Sequence, residues 1–234
     1  MRKDWMLVAL GFVLLTVGHG IGLFVAPAEA MMGDVGRILY VHVPTAWVAL
    51  CTFLGAFICA IGVLWTSKLT WDAAMEGAVE VGVLLNGLLL FQGAVWARPT
   101  WGVYWTWDPR LTSALVMCVS FAAVLVLRSL IHQVQRRMTF SAIATILFFV
   151  NVPVVYMSVK WWNSLHQNMS SPETIDAMMV LPLRIAAFGM LFLAIGLCMV
   201  RGRLALARLR REDGAPDLPP EPTRLELDSG AHDA

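Results

Sequence analysis

The run Val43–Thr66 reads VPTAWVALCTFLGAFICAIGVLWT, twenty-four residues without a charged side chain. A hydrocarbon core of about 30 Å is crossed by roughly 20 apolar residues in an α-helix, so this run is of spanning length. Working outward from it, five further stretches qualify: about Trp5–Ala26, Ala78–Ala97, Leu111–Leu127, Thr139–Val159 and Met178–Val200. The whole 234-residue chain is 59% hydrophobic and 14% charged, with a mean hydropathy of +0.70. Soluble domains carry about 25% charged residues. The expected fold class is an all-α integral membrane protein with six transmembrane helices.

Polar residues inside these stretches are expected to face other helices. They are Glu80, Asn86 and Gln92 in the third and Asn151 in the fifth. Pro153 is expected to kink the fifth helix. Arg184, about two turns into the sixth, is expected to face protein or a ligand, because a charge at membrane depth costs roughly 2.5–3.5 kcal/mol on insertion scales. The start of the chain imitates a secretory signal: Arg2 and Lys3, an apolar run, then Ala28-Glu29-Ala30. The run is too long for a signal h-region and reads as a retained first helix.

Orientation follows from the positive charges flanking the spans. With the N-terminus inside, the inner side holds eleven: Arg2, Lys3, Lys68, Arg128, Arg136, Arg137, Arg201, Arg203, Arg208, Arg210 and Arg211. The outer side holds four, Arg37, Arg98, Arg110 and Lys160. The positive-inside rule then puts both termini in the cytoplasm. Three outer loops result: Pro27–His42, Arg98–Arg110 and Lys160–Ala177. Residues 1–205 form the expected six-helix domain. Residues 206–234 read as a cytoplasmic tail, rich in Pro, Asp and Glu from about Glu212 and without apolar periodicity, hence disordered.

Several function classes fall away. A formal net charge of +1 without a basic cluster beyond the membrane flanks argues against nucleic acid as a partner. There is no Gly-rich phosphate loop, so any ATPase activity belongs to another chain. Cys51, Cys59, Cys118 and Cys198 lie in apolar runs and form no C-x-x-C pair, which disfavours disulfides, a zinc site and covalent c-type haem attachment.

Tryptophan is the informative residue. Seven of ten fall at the outer side, Trp47, Trp96, Trp101, Trp105, Trp107, Trp161 and Trp162, against Trp5, Trp65 and Trp71 inside. An ordinary aromatic belt populates both interfaces. An aromatic patch packed into Trp101–Asp108 points to a bound apolar partner. Gly102 gives the backbone room to turn, and Trp101 and Trp105 would share a face if the loop were helical. Asp108-Pro109 reads as an N-cap followed by proline at the first helical position. His42 and His166 lie in the outer loops on either side of this segment; His19, amid glycines, reads as a packing or hydrogen-bonding residue. Two imidazoles flanking an aromatic surface suit axial ligation of haem iron. Arg37, Arg98, Arg110 and Lys160 are the cations on the correct side for the propionates.

The run WGVYWTWDPRLTS over Trp101–Ser113 resembles the tryptophan-rich WWD signature, WGxxWxWDxRLT, of the haem-handling protein superfamily. With six helices and a histidine in each flanking outer loop, the chain is similar to the haem exporter protein C (CcmC) family over about residues 1–205. The resemblance implies a non-enzymatic haem-binding assembly protein of the bacterial inner membrane, acting at the periplasmic face in c-type cytochrome biogenesis. It implies haem b as the group bound and His42 and His166 as the axial pair. Trp101, Gly102, Trp105, Trp107 and Asp108 carry over as the WWD core. It further implies delivery to the haem chaperone CcmE, in company with the ABC-transporter subunits CcmA and CcmB and the small membrane protein CcmD. A permease that carries haem across the bilayer is the alternative. An electron-transfer cytochrome b would need paired intramembrane histidines, for which only His19 is available, and a complete cytochrome c synthase would need more helices.

Overall fold

The computed structural model describes residues 2–166 and 176–214. Seven helices run in chain order: α1 (Lys3–Phe24), α2 (Leu39–Thr66), α3 (Leu69–Trp101), α4 (Pro109–Leu130), α5 (Val134–Phe149), α6 (Asn151–Trp161) and α7 (Ala177–Asp213). A 3-10 turn, Asp34–Ile38, leads into α2. Among the described residues no strand forms beyond one isolated bridge, Glu29 to Gly33. Taken with the turn before α2, and with α5 and α6 as one segment, six helical segments are long and apolar enough to cross a membrane. The protein is a multi-pass membrane protein.

The fifth span is interrupted for one residue at Val150, which keeps right-handed helical dihedrals, between α5 and α6. Pro153 has no N–H to offer the carbonyl of Phe149, which ends α5. The break is held by Asn151, whose side-chain amide donates to the Ser113 carbonyl of α4 at 2.8 Å. Asn86 of α3, fully buried, donates to the next carbonyl, Ala114, at 3.0 Å. Polar groups in an apolar slab find partners on neighbouring helices, and these two fasten α3 and α6 to adjacent residues of α4.

α1 packs chiefly along α7, and glycine sets how closely. A methyl added at Gly11 would lie 2.5 Å from the Leu193 nitrogen, and one at Gly18 would lie 2.7 Å from that of Ala186. From the other side, a methyl at Gly189 would meet Leu15 and one at Gly196 would meet Val8. Each pair is spaced seven apart, so both helices present small residues on one seam. α1 is therefore an integral member of the bundle. His19 donates from Nε2 to the Tyr40 carbonyl at 3.1 Å, a hydrogen-bonding role as expected. A second core joins α2 to α5, centred on Phe53, Met75, Met117, Phe121 and Met138, with Phe53 and Phe121 stacked at 3.9 Å.

One end of the bundle carries a network of charges. Arg128 on α4 grips Asp72 on α3 with both terminal nitrogens, at 2.7 and 2.8 Å, and reaches Glu76 at 2.6 Å. Arg208 on α7 donates to the same Glu76 at 2.5 and 2.7 Å. Arg201 pairs with Glu80 at 2.6 Å, Arg203 with Asp4 and Arg137 with Glu212.

These pairs explain a difference from the sequence reading. The boundary expected at 205–206 falls inside α7, which continues as helix to Asp213. Leu209 is fully buried there, beside Ala73 and Ala205. The apolar pattern is weak because charge pairing supplies much of the attachment. The rest of the expected tail, 215–234, lies outside the described residues. Arg184 is exposed on α7 in the single chain. At two turns from the helix start, a long side chain reaches the interface by snorkelling.

Candidate functional site

α3 ends and α4 begins by recognisable local chemistry. Gly102 takes a left-handed conformation (φ 79°) and donates its N–H to the Arg98 carbonyl at 3.0 Å, closing α3. A residue at positive φ with no Cβ strain is what a helix end of this kind needs. Residues 102–108 then form a short connection, and Asp108 caps α4 by accepting from the Arg110 N–H at 2.9 Å, with Pro109 at the first helical position. The loop is shorter than the Arg98–Arg110 expected, because α3 runs through Trp101.

Beneath this connection lies an open cavity lined chiefly by α2, α3 and α4, with Val155 of α6, Trp105 and His166. Ligand pockets are mostly apolar with a few placed polar groups. The polar groups here are His42, Thr100, Arg110 and His166, with Trp96, Trp101 and Trp105 as the aromatic walls. His42 is on α2, not in a loop. Its ring meets Trp96 edge to face at 5.3 Å and lies 6.3 Å from the ring of His166, inclined by 29°. Trp101 stands edge to face with His166 at 6.5 Å. Gly93 leaves the space beside His42 open: a methyl there would come within 3.4 Å of Cε1.

The expected site residues separate cleanly. His42, His166, Trp101, Trp105 and Arg110 line the cavity. Trp101 and Trp105 do so although residues 103–108 are not helical; the reversal at Gly102, rather than an i, i+4 face, brings them together. Trp107 does not line it, being 75% exposed and edge-on to Trp105 at 5.8 Å. Gly102 is exposed and acts on the backbone. Arg37 is engaged elsewhere. It donates to the carbonyls of Gly22 and Ala26 at 2.8 and 2.9 Å and to Asp34 at 2.8 Å, tying the end of α1 to the turn before α2. Arg98 donates to the Gly102 carbonyl and lies over the Tyr104 ring at 5.6 Å, and Lys160 is exposed. Of the four cations named from sequence, Arg110 alone lines the cavity.

Trp96 was visible only as one more tryptophan. Its place in the wall comes from the α3 face that also carries Gly93, Ala97 and Thr100, a spacing of three and four that would have flagged it. The seven tryptophans of this end thus divide. Trp96, Trp101 and Trp105 line the cavity, while Trp47, Trp107, Trp161 and Trp162 are exposed, where aromatic side chains suit a membrane interface.

The cavity holds unsatisfied polar atoms. His42 Nδ1, Arg110 Nη1 and Trp96 Nε1 are buried without a hydrogen-bond partner among the described residues. Buried donors and acceptors are nearly always paired. Three such atoms around one cavity call for a ligand with a polar or anionic edge.

Fold and site together define a polytopic membrane protein with a tryptophan-walled cavity between two histidines. A family model, "Heme exporter protein C" (CcmC), matches residues 2–215. Similar proteins carrying the name "Heme exporter protein C" include that of Haemophilus influenzae, 36% identical, with 85% of this chain and 82% of the relative aligned. That of Escherichia coli K12 is 34% identical over 85% of this chain and 81% of the relative. That of Bradyrhizobium diazoefficiens is 32% identical over 81% and 76%. The chain belongs to the Heme exporter protein C family.

Proposed function

We propose that this chain binds haem b between His42 and His166 and delivers it to the haem chaperone CcmE for c-type cytochrome biogenesis. The observation that carries the reading is the pair of imidazoles 6.3 Å apart across one cavity, walled by Trp96, Trp101 and Trp105. Haem brings a flat apolar face, an iron that accepts two axial nitrogens, and two carboxylates. Each has a counterpart: the indole walls, the two histidines, and Arg110, whose buried Nη1 lacks a partner among the described residues. Neutral imidazole is the ligating form, and orienting partners for its other nitrogen normally tune it.

The charge asymmetry across the spans supports placing both termini in the cytoplasm, which puts the cavity at the periplasmic face of a bacterial inner membrane. In this reading CcmA, CcmB and CcmD are the complex partners, and ATP hydrolysis is theirs. The chain's own part is to bind, orient and present its cargo, without bond-making chemistry. Trp107 and Tyr104, both largely exposed, offer an apolar rim for a docking chaperone.

The permease alternative lacks such support. A second cavity, about 670 Å³, opens at the charged end beside Arg2, Lys3 and Arg203, and it shares no lining residue with the first. α1, α2, α3 and α7 pack together through Leu15, Val48, Ala49, Val81, Leu85 and Met190.

The test is the absorption spectrum of the purified protein together with haem transfer to the chaperone. The wild-type protein is expected to be low-spin and six-coordinate; His42→Ala and His166→Ala are expected to turn high-spin or lose haem, and to stop covalent haem appearing on the chaperone. Unchanged spectra in both variants at equal haem content would remove the ligand assignment.

A further inference from the structure

A helix cap needs one oxygen, and Asp108 uses two. Oδ1 accepts the Arg110 N–H at 2.9 Å, which is the cap. The same oxygen accepts the Ser164 hydroxyl at 2.9 Å, and Oδ2 accepts the Leu165 N–H at 2.8 Å. Ser164 Oγ in turn accepts the N–H of His166 at 3.0 Å. The carboxylate is 7% exposed, so these bonds replace its water. A carboxylate with several N–H and O–H donors around it forms charge-assisted bonds that are short and directional.

We infer that Asp108 is a positioning residue for His166: its carboxylate fastens segment 164–166 to the start of α4 and so fixes where one iron ligand stands. The inference rests on the haem-binding reading and extends it. His42 is held by its own helix. His166 stands outside any helix, and from the end of α6 at Trp161 a short connection reaches it. Three of the bonds that determine its backbone course pass through Asp108 directly or through Ser164. The aspartate of the WWD segment would thereby bear on the iron's position through a residue 58 positions further along the chain.

The chemistry separates this role from capping. An asparagine at 108 keeps one acceptor oxygen, enough for the Arg110 N–H. Its amide nitrogen is a donor and cannot accept from Leu165, so one of the two connections is lost. Ser164→Ala removes the bridge to His166 and leaves the cap intact.

The experiment uses the full chain in lipid nanodiscs with two readouts. In the haem-free protein, hydrogen exchange is followed in the peptide containing Leu165 and His166 and in the first turn of α4, where the Thr112 N–H bonds to the Asp108 carbonyl. In the haem-loaded protein the spin state is read by absorption, with and without added imidazole. Asp108→Asn is expected to speed exchange at 165–166 at least about tenfold while α4 stays protected, the effect of losing a charge-assisted bond. It is also expected to shift haem to high spin, with added imidazole restoring the low-spin spectrum by filling the vacated position. Ser164→Ala is expected to shift both in the same direction by less. Unchanged exchange at 165–166 in Asp108→Asn overturns the inference. So does faster exchange with a fully low-spin spectrum, because the loop would then move without moving the ligand. A His166→Ala control with a wild-type spectrum identifies failure of the ligation reading instead, and overturns the ligand half of the inference, while the exchange arm stands or falls on its own.

Discussion

The two ends of this bundle bury charge in opposite ways. At one end Arg128 is 5% exposed and bonds both terminal nitrogens to Asp72 and Glu76, leaving only Nε without a partner among the described residues. At the other, Arg110 keeps a buried Nη1 unpaired, close to a histidine and a tryptophan in the same condition. The same side chain does different work. A buried pair whose members satisfy each other holds helices together; a buried group left unsatisfied is poised for something that binds. The difference sets the aromatic end, where unpaired polar atoms gather at one cavity, apart from the charged end, where ion pairs join the helices.

The largest test of the comparison is Arg128→Ala. Removing one member of a buried ion pair typically costs about 3–5 kcal/mol, since it strands the other. Denaturant unfolding of the reconstituted protein is expected to show a loss of that order, while the haem spectrum of the folded fraction stays as in wild type. Unchanged stability would break the comparison at its charged end.

Arg110→Ala is the mirror experiment, with the opposite sign. It removes a guanidinium whose buried Nη1 has no partner among the described residues, so the stability of the haem-free protein is expected not to fall. Haem affinity is expected to drop by about tenfold or more, because hydrogen bonds to charged groups contribute about 1.5–3 kcal/mol. A loss of haem-free stability with unchanged affinity would make Arg110 another helix-joining residue.

The smallest effect sharpens the comparison within the aromatic end. Trp105→Ala removes a cavity wall and is expected to weaken haem binding a few-fold, in line with about 0.5–1.5 kcal/mol for an aromatic contact. Trp107→Ala, at an exposed position, is expected to leave affinity within about twofold of wild type, as surface substitutions usually do. Equal losses in titrations of the two variants would mean that the cavity wall is drawn in the wrong place.

The fold was largely legible because a bilayer admits few solutions. Spanning length and low charge mark each helix, and Pro153 marks the break in the fifth. The α7 extension was not legible, since one buried leucine, Leu209, and the ion pairs of Arg208 and Glu212 attach it rather than a continuous apolar stripe. In the site, the WWD segment and the two histidines stood out by their clustering. Arg37 and Arg110 did not differ in sequence, both being cations on the same side. Only the carbonyls of Gly22 and Ala26, which occupy Arg37, tell them apart.

Sequence by itself thus determined the six spans, the crowding of indole at one end and the cap at Asp108, because each is set by local length, hydropathy and hydrogen-bonding capacity. Tertiary structure alone decided which tryptophans wall the cavity and which face outward. It alone brought His42 within 6.3 Å of His166, and it alone gave the second oxygen of Asp108 to Leu165. These pairings join residues up to 124 positions apart. Such distances are closed by helix packing, to which local sequence patterns carry no address.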